Sequence, residues 1–135
     1  MSAEIPQALV AMEALFARQR LAFTAAPMPS EEDRLRWLDA LRDVLAGHQP
    51  ALIEAIAADF GHRSADETLL AEIMPSLHGI RYASRHLRRW MKPSRRHVGL
   101  AFQPASARVV YQPLGVVGII VPWNYPLYLA IGPLI

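Results

Sequence analysis

Asn124 is the one strongly polar side chain in the run Leu114-Gly-Val-Val-Gly-Ile-Ile-Val-Pro-Trp-Asn-Tyr-Pro126, and two prolines flank it. A carboxamide can donate an N–H to an oxygen that gains negative charge during a reaction. In a dry pocket such a donor stabilises the transition state. The apolar run before it, Leu114–Val121, is predicted to be a strand buried on both faces, as in a parallel sheet. Polar groups at the carboxyl end of such a strand stand where open α/β sheets bind ligands. The residue type leaves a second reading open: an Asn ahead of Tyr-Pro can be a turn residue that bonds its own backbone.

Other chemistries find less support. The chain has no cysteine, which excludes a thiol nucleophile, an iron–sulfur site and a disulfide scaffold within it. The five histidines, at 48, 62, 78, 86 and 97, lack metal-ligand spacing, so structural or solvent roles are expected. Asp59, Asp66, Glu67 and Glu72 could be drawn as acid/base partners, but helix capping and surface pairing explain them more simply. Trp37 and Trp90 read as core or rim aromatics.

Charge is distributed unevenly over the 135 residues. All twelve acids lie between Glu4 and Glu72 with six bases among them, a balance of −6; the remainder holds eight bases and no acid, +8. Arg81, Arg85, Arg88 and Lys92 recur at spacings of four, three and four, beside an apolar stripe. Without interleaved aromatics or a nucleic-acid motif, they read as a solvated helix face pairing with the acids of earlier helices. The start of the chain lacks a basic stretch followed by an apolar one, so a cytoplasmic protein is expected. Residues 114–135 carry no charge and are long enough to span a bilayer. Pro122, Asn124, Pro126, Gly132 and Pro133 argue against that, because each proline frees a carbonyl that lipid cannot satisfy.

The elements that must position Asn124 follow from period and punctuation. Ile5, Leu9, Met12 and Phe16 line one face of a first helix, broken by Ala25–Pro29. Ser30 caps a second, with acids in its first turn and Leu35, Leu38, Leu41 and Leu45 inward; Gly47 closes it. A third runs from Pro50 to Phe60 with Leu52, Ile53, Ile56 and Phe60 inward and Gly61 just past its end. Ser64 and Glu67 form a capping box that opens the longest helix. Its predicted stripe is Leu70, Ile73, Leu77, Ile80, Ser84, Leu87 and Met91, with a kink at Pro75 and an end at Pro93. Val98–Gln103 and Arg108–Gln112 alternate, which predicts two neighbouring strands joined by Pro104–Ala107. After the buried strand, Tyr125-Pro126 opens a last helix. The order predicts an α/β chain: helices over 1–92, a β arm over 93–112, and over 113–135 the opening strand and helix of a further βαβ domain. An uncharged apolar tail reads as a chain that stops early.

The string Tyr111-Gln-Pro-Leu-Gly-Val-Val-Gly-Ile-Ile-Val-Pro-Trp-Asn-Tyr-Pro-Leu-Tyr-Leu129 resembles the aldehyde dehydrogenase superfamily. Its Pro-Trp-Asn-Tyr-Pro motif is far more specific than a generic glycine loop. Ala57-Ala-Asp-Phe-Gly61, Glu72-Ile-Met-Pro-Ser, Arg88-Arg-Trp-Met-Lys-Pro93 and His97-Val-Gly-Leu resemble the two-subunit, class-3-like branch. Within that branch they are most like the bacterial coniferyl aldehyde dehydrogenases.

The resemblance implies a Rossmann-like cofactor domain beginning at 113, and NAD(P)-dependent oxidation of an aldehyde to a carboxylic acid. It gives Asn124 the role of oxyanion donor, and Ile120, Val121, Pro122 and Trp123 that of lining the NAD or NADP cleft. Val121 departs from the many relatives with a small or polar residue there. The β arm implies a homodimer of the full-length protein, and the resemblance implies a small-molecule aldehyde such as coniferyl aldehyde as substrate, with no nucleic acid or membrane. The family's nucleophilic cysteine, general-base glutamate, Lys-Pro-Ser segment and pyrophosphate-binding glycine turn would fall beyond Ile135, so a fragment inactive alone is expected. The alternative from another class is a non-catalytic helical protein whose hydrophobic C-terminal segment anchors it to a membrane or binds a partner.

Overall fold

The computed structural model describes residues 7–135, so Ile5 lies outside the described residues. The chain divides into two compact units. One holds the described residues up to Pro29 with Gln112–Gly118; the other holds Ser30–Tyr111 with Ile119–Ile135.

In the first unit, α1 spans Gln7–Ala25. Of the stripe predicted for it, Leu9, Met12 and Phe16 are all exposed. The returning segment adopts φ +119 at Gly115, a backbone conformation that a side chain would strain, with the Phe23 ring alongside.

The second unit contains the core. Helix α2, Glu31–Gly47, starts at a complete capping box: the Ser30 hydroxyl accepts from the Asp33 N–H at 3.0 Å, and Asp33 accepts from the Ser30 N–H at 3.2 Å. Helix α3, Gln49–Phe60, has Pro50 in its first turn and ends on Gly61 at φ 81, the left-handed stop. Next come α4 (Ala65–Thr68), a π-helical turn (Leu69–Ile73) and α5 (Met74–Trp90), one after another. The helix therefore runs through Pro75 as predicted. The π turn directly precedes this proline, whose ring clashes with a regular helical carbonyl and which brings no N–H. α5 packs on α2, and α6 (Pro126–Leu134) packs on α5 and on the π turn. Leu38, Leu45, Ile80, Ala83 and Ile131 form the buried cluster, with Leu41, Leu52, Leu77, Leu127 and Ile135 against it.

Helices with one small sheet agree with the α/β class, but several predicted details fail. Leu114–Val121 is not a strand, and Leu114 and Ile120 are 96% and 99% exposed. A central parallel strand needs a partner on each edge for its N–H and C=O groups. Among the described residues, the only sheet is the antiparallel pair β1 (Ser94–Arg96) and β2 (Ala107–Val109), with Arg95 opposite Arg108. Val98–Gln103 is not a strand either. Leu100–Phe102 forms a 3₁₀ turn in which Phe102 and Gln103 donate to Gly99 and Leu100, and exposed Leu100 and Phe102 have no core to face. Arg108–Gln112 shortens to Ala107–Val109 because its partner strand is only three residues long.

On the long helix, Ile73 and Ile80 are buried but Leu70 is exposed, since the π turn changes the helical phase between them. Phe60 lies at the surface rather than inward. The second capping box is half made: the Ser64 hydroxyl accepts from the Glu67 N–H at 3.0 Å, while the Glu67 carboxylate binds Arg63 instead. Trp37 is an exposed residue, not a core one.

Candidate active-site segment

Asn124 lies two residues before α6, and the start of that helix has an unusual cap. Pro126 supplies the preset φ of a first helical residue and has no N–H to satisfy. The N-cap residue, Tyr125, makes no side-chain cap hydrogen bond. The next two N–H groups, those of Leu127 and Tyr128, donate to one oxygen of Glu72, Oε2, at 2.7 and 3.2 Å. Glu72 comes from the π turn and is fully buried. A carboxylate at a helix N-terminus is stabilised by the free N–H groups and by the dipole.

The other oxygen of Glu72, Oε1, accepts from Arg63 Nη1 at 3.2 Å. That same nitrogen donates to the backbone carbonyl of Asn124 at 2.8 Å, and Arg63 Nη2 donates to Glu67 Oε1 at 3.0 Å. The guanidinium carbon stands 4.6 Å from the Phe60 ring centre and 4.5 Å from that of Tyr125. Planar cation and aromatic faces attract at such distances. The Arg63 side chain is only 6% exposed. One buried ion pair thus holds the chain on both sides of Pro126.

Asn124 itself is exposed, and its carboxamide makes no hydrogen bond among the described residues. The turn reading needs an acceptor bond from the backbone N–H two positions on. That position is Pro126, which has none. Ile120 and Trp123 are 99% and 81% exposed, Pro122 is exposed and Val121 half-buried. All five positions fall in one continuous segment leading into α6.

Glu72 and Arg63 are the residues that sequence reasoning missed. Surface pairing does not describe Glu72: it is buried, and the helix it caps begins 54 positions later. A signal existed in the spacing of Thr68, Glu72 and Ser76, four apart and all fully buried, a polar row beside the apolar stripe. The His48 and His86 rings bond the carbonyls of Val44 and Tyr82 at 2.8 and 2.7 Å. No group of potential metal ligands occurs among the described residues. Arg88 pairs with Glu31 of α2 at 3.9 Å. No described helix is long and apolar enough to cross a membrane.

Residues 4–135 match the aldehyde dehydrogenase family. The chain belongs to that family. It is 72% identical over 123 residues to a probable coniferyl aldehyde dehydrogenase of Pseudomonas aeruginosa, covering 91% of this chain and 26% of that protein. Identity to the coniferyl aldehyde dehydrogenase of a Pseudomonas species is 45% over 103 residues, covering 76% and 21%. Against rat aldehyde dehydrogenase family 3 member B1 it is 42% over 116 residues, covering 86% and 25%. The chain spans about a quarter of the length of these relatives. A mostly helical segment with a two-stranded sheet is consistent with the amino-terminal portion of an α/β aldehyde dehydrogenase.

Proposed function

We propose that this chain acts as the amino-terminal part of an NAD(P)-dependent aldehyde dehydrogenase that oxidises an aldehyde to the carboxylic acid, and that Asn124 is its oxyanion donor. Three of the similar proteins bear the name coniferyl aldehyde dehydrogenase, two of them as probable, which favours an aromatic aldehyde of that kind as substrate. The observation that carries the reading is an Asn124 carboxamide without a hydrogen-bond partner among the described residues, on a backbone fixed by Arg63. As a nucleophile adds to an aldehyde, negative charge gathers on the carbonyl oxygen. An amide N–H already aimed at that oxygen binds the charged form more strongly than the neutral one, which lowers the barrier. The nucleophile comes from outside these 135 residues, which contain no cysteine.

The exposed apolar surfaces of Ile120 and Trp123, in a stretch with no charge after Arg108, fit the nicotinamide end of NAD or NADP. Ile120, Val121, Pro122 and Trp123 would hold it by apolar and backbone contact. Bound there, the cofactor supplies the two-electron acceptor. The β1–β2 arm serves subunit pairing in a cytoplasmic homodimer, and 113–135 opens the dinucleotide-binding domain.

The test is Asn124→Ala in the complete enzyme. Turnover should fall by roughly 10²–10³, the loss typical of one oxyanion donor, while cofactor Kd stays unchanged. Equal loss of turnover and cofactor affinity would make Asn124 a structural residue and overturn the reading.

A further inference from the structure

We propose that Arg63 and Glu72 are positioning residues for the Asn124 amide, an inference that rests on Asn124 being the oxyanion donor. The direction of an Asn side chain is set by the backbone at its own Cα. On the carboxyl side of Asn124 that backbone has few free torsions. Pro126 fixes its own φ and restricts Tyr125, which adopts φ −136 and ψ 68. The remaining freedom is the tilt of the peptide plane between Asn124 and Tyr125. Arg63 Nη1 holds that plane by its carbonyl at 2.8 Å.

The guanidinium is itself held on every side. Glu72 Oε1 binds the same Nη1 nitrogen, Glu67 Oε1 binds Nη2, and the rings of Phe60 and Tyr125 lie against the planar group. Glu72 cannot shift independently, because its second oxygen is anchored by the Leu127 and Tyr128 N–H groups. The result is a closed circuit in which Glu72 grips α6 just after Pro126, and Arg63 ties Glu72 to the residue two before Pro126. A helix cap alone would need only the contacts of Oε2. The Arg63 contact with the Asn124 carbonyl adds nothing to that cap, and its evident effect is on where Asn124 points.

Lysine cannot replace this arrangement. Its single ammonium lacks the planar fork that binds Glu67, Glu72 and the carbonyl together, and it has no flat face for two rings. A displacement near 1 Å at a reacting group can cost on the order of 10²-fold in rate.

The decisive experiment is a double-mutant cycle in the complete enzyme, combining Arg63→Lys with Asn124→Ala and reading kcat, KM and thermal melting. Acting through Asn124, Arg63→Lys should lower kcat at least about tenfold with KM little changed, yet lower it no further once Asn124 is Ala. An equal loss from Arg63→Lys in both backgrounds would refute positioning while leaving the oxyanion role of Asn124 intact. No loss from Asn124→Ala alone would instead defeat the proposed function, and the positioning role with it. Should Arg63→Lys fail to fold, Tyr125→Leu, which removes one face of the clamp, enters the same cycle with the same expected and refuting outcomes.

Discussion

The Leu127 N–H donates to Glu72 Oε2 at 2.7 Å across 55 positions of sequence, and this bond joins the π turn to the first turn of α6. The helix that follows Asn124 is capped by a distant element rather than by its own leading residues. Burial makes that bond consequential. Glu72 is fully buried and the Arg63 side chain is 6% exposed, so neither charge can turn to water if the other is lost.

Glu72→Ala should therefore be among the most damaging single substitutions in the second unit. It leaves the Arg63 charge without its buried partner and two α6 N–H groups without an acceptor. The expected cost is about 3–5 kcal/mol, measured as a lower denaturant midpoint. Asp39→Ala, at an exposed partner of Arg42, should barely move the midpoint under the same conditions. A similar small shift for both would show that Glu72 is not the keystone of this contact.

Thr68 offers the opposite case. Its hydroxyl is fully buried and has no hydrogen-bond partner among the described residues. Valine has nearly the same shape without the polar atom, so Thr68→Val removes a desolvation cost of about 1–3 kcal/mol and opens no cavity. The melting temperature of Thr68→Val should equal or exceed that of the parent. A clear drop would mean that the hydroxyl is satisfied in solution.

The capping box at α2 should make stability depend on acid. The Ser30 hydroxyl, then Arg36, hold the Asp33 carboxyl below its ordinary value of 3.8. A carboxyl with a depressed pKa in the folded state stabilises the fold above its unfolded value. That contribution is lost as pH falls through the depressed one. Ser30→Ala should move the Asp33 titration up toward 3.8, and its stability deficit should shrink as pH drops below that value. Carboxyl-carbon NMR titration with pH-dependent melting reads both; a deficit independent of pH would assign the cap's effect to the neutral hydroxyl alone.

Local chemistry made much of this fold legible. Ser30, Gly61 and Pro126 act through one or two neighbouring backbone groups, and each stands where its residue type predicts. Leu114–Val121 failed for a different reason. An apolar run expresses a demand for neighbours, and period analysis cannot tell whether strands are present to meet it. The π turn was hidden because Leu70 and Ile73 fit a regular helical stripe if no extra residue is assumed. Within the candidate site, Asn124 stood out through its flanking prolines, while Arg63 and Glu72 did not. Their partners lie 61 and 55 positions away, and no short-range pattern records such a pairing.

The π turn at Leu69–Ile73 also restricts how this region could change in length. A regular α-helix advances about 100° per residue. Losing one residue there would restore ordinary winding and leave the elements on either side nearly where they stand, because the wide turn already takes up one residue more than an α-helical turn. Gaining one has no such slack: it would swing everything upstream, Arg63 included, around the axis by about that angle and away from the Asn124 carbonyl. Single-residue losses are thus better tolerated in this stretch than single-residue gains.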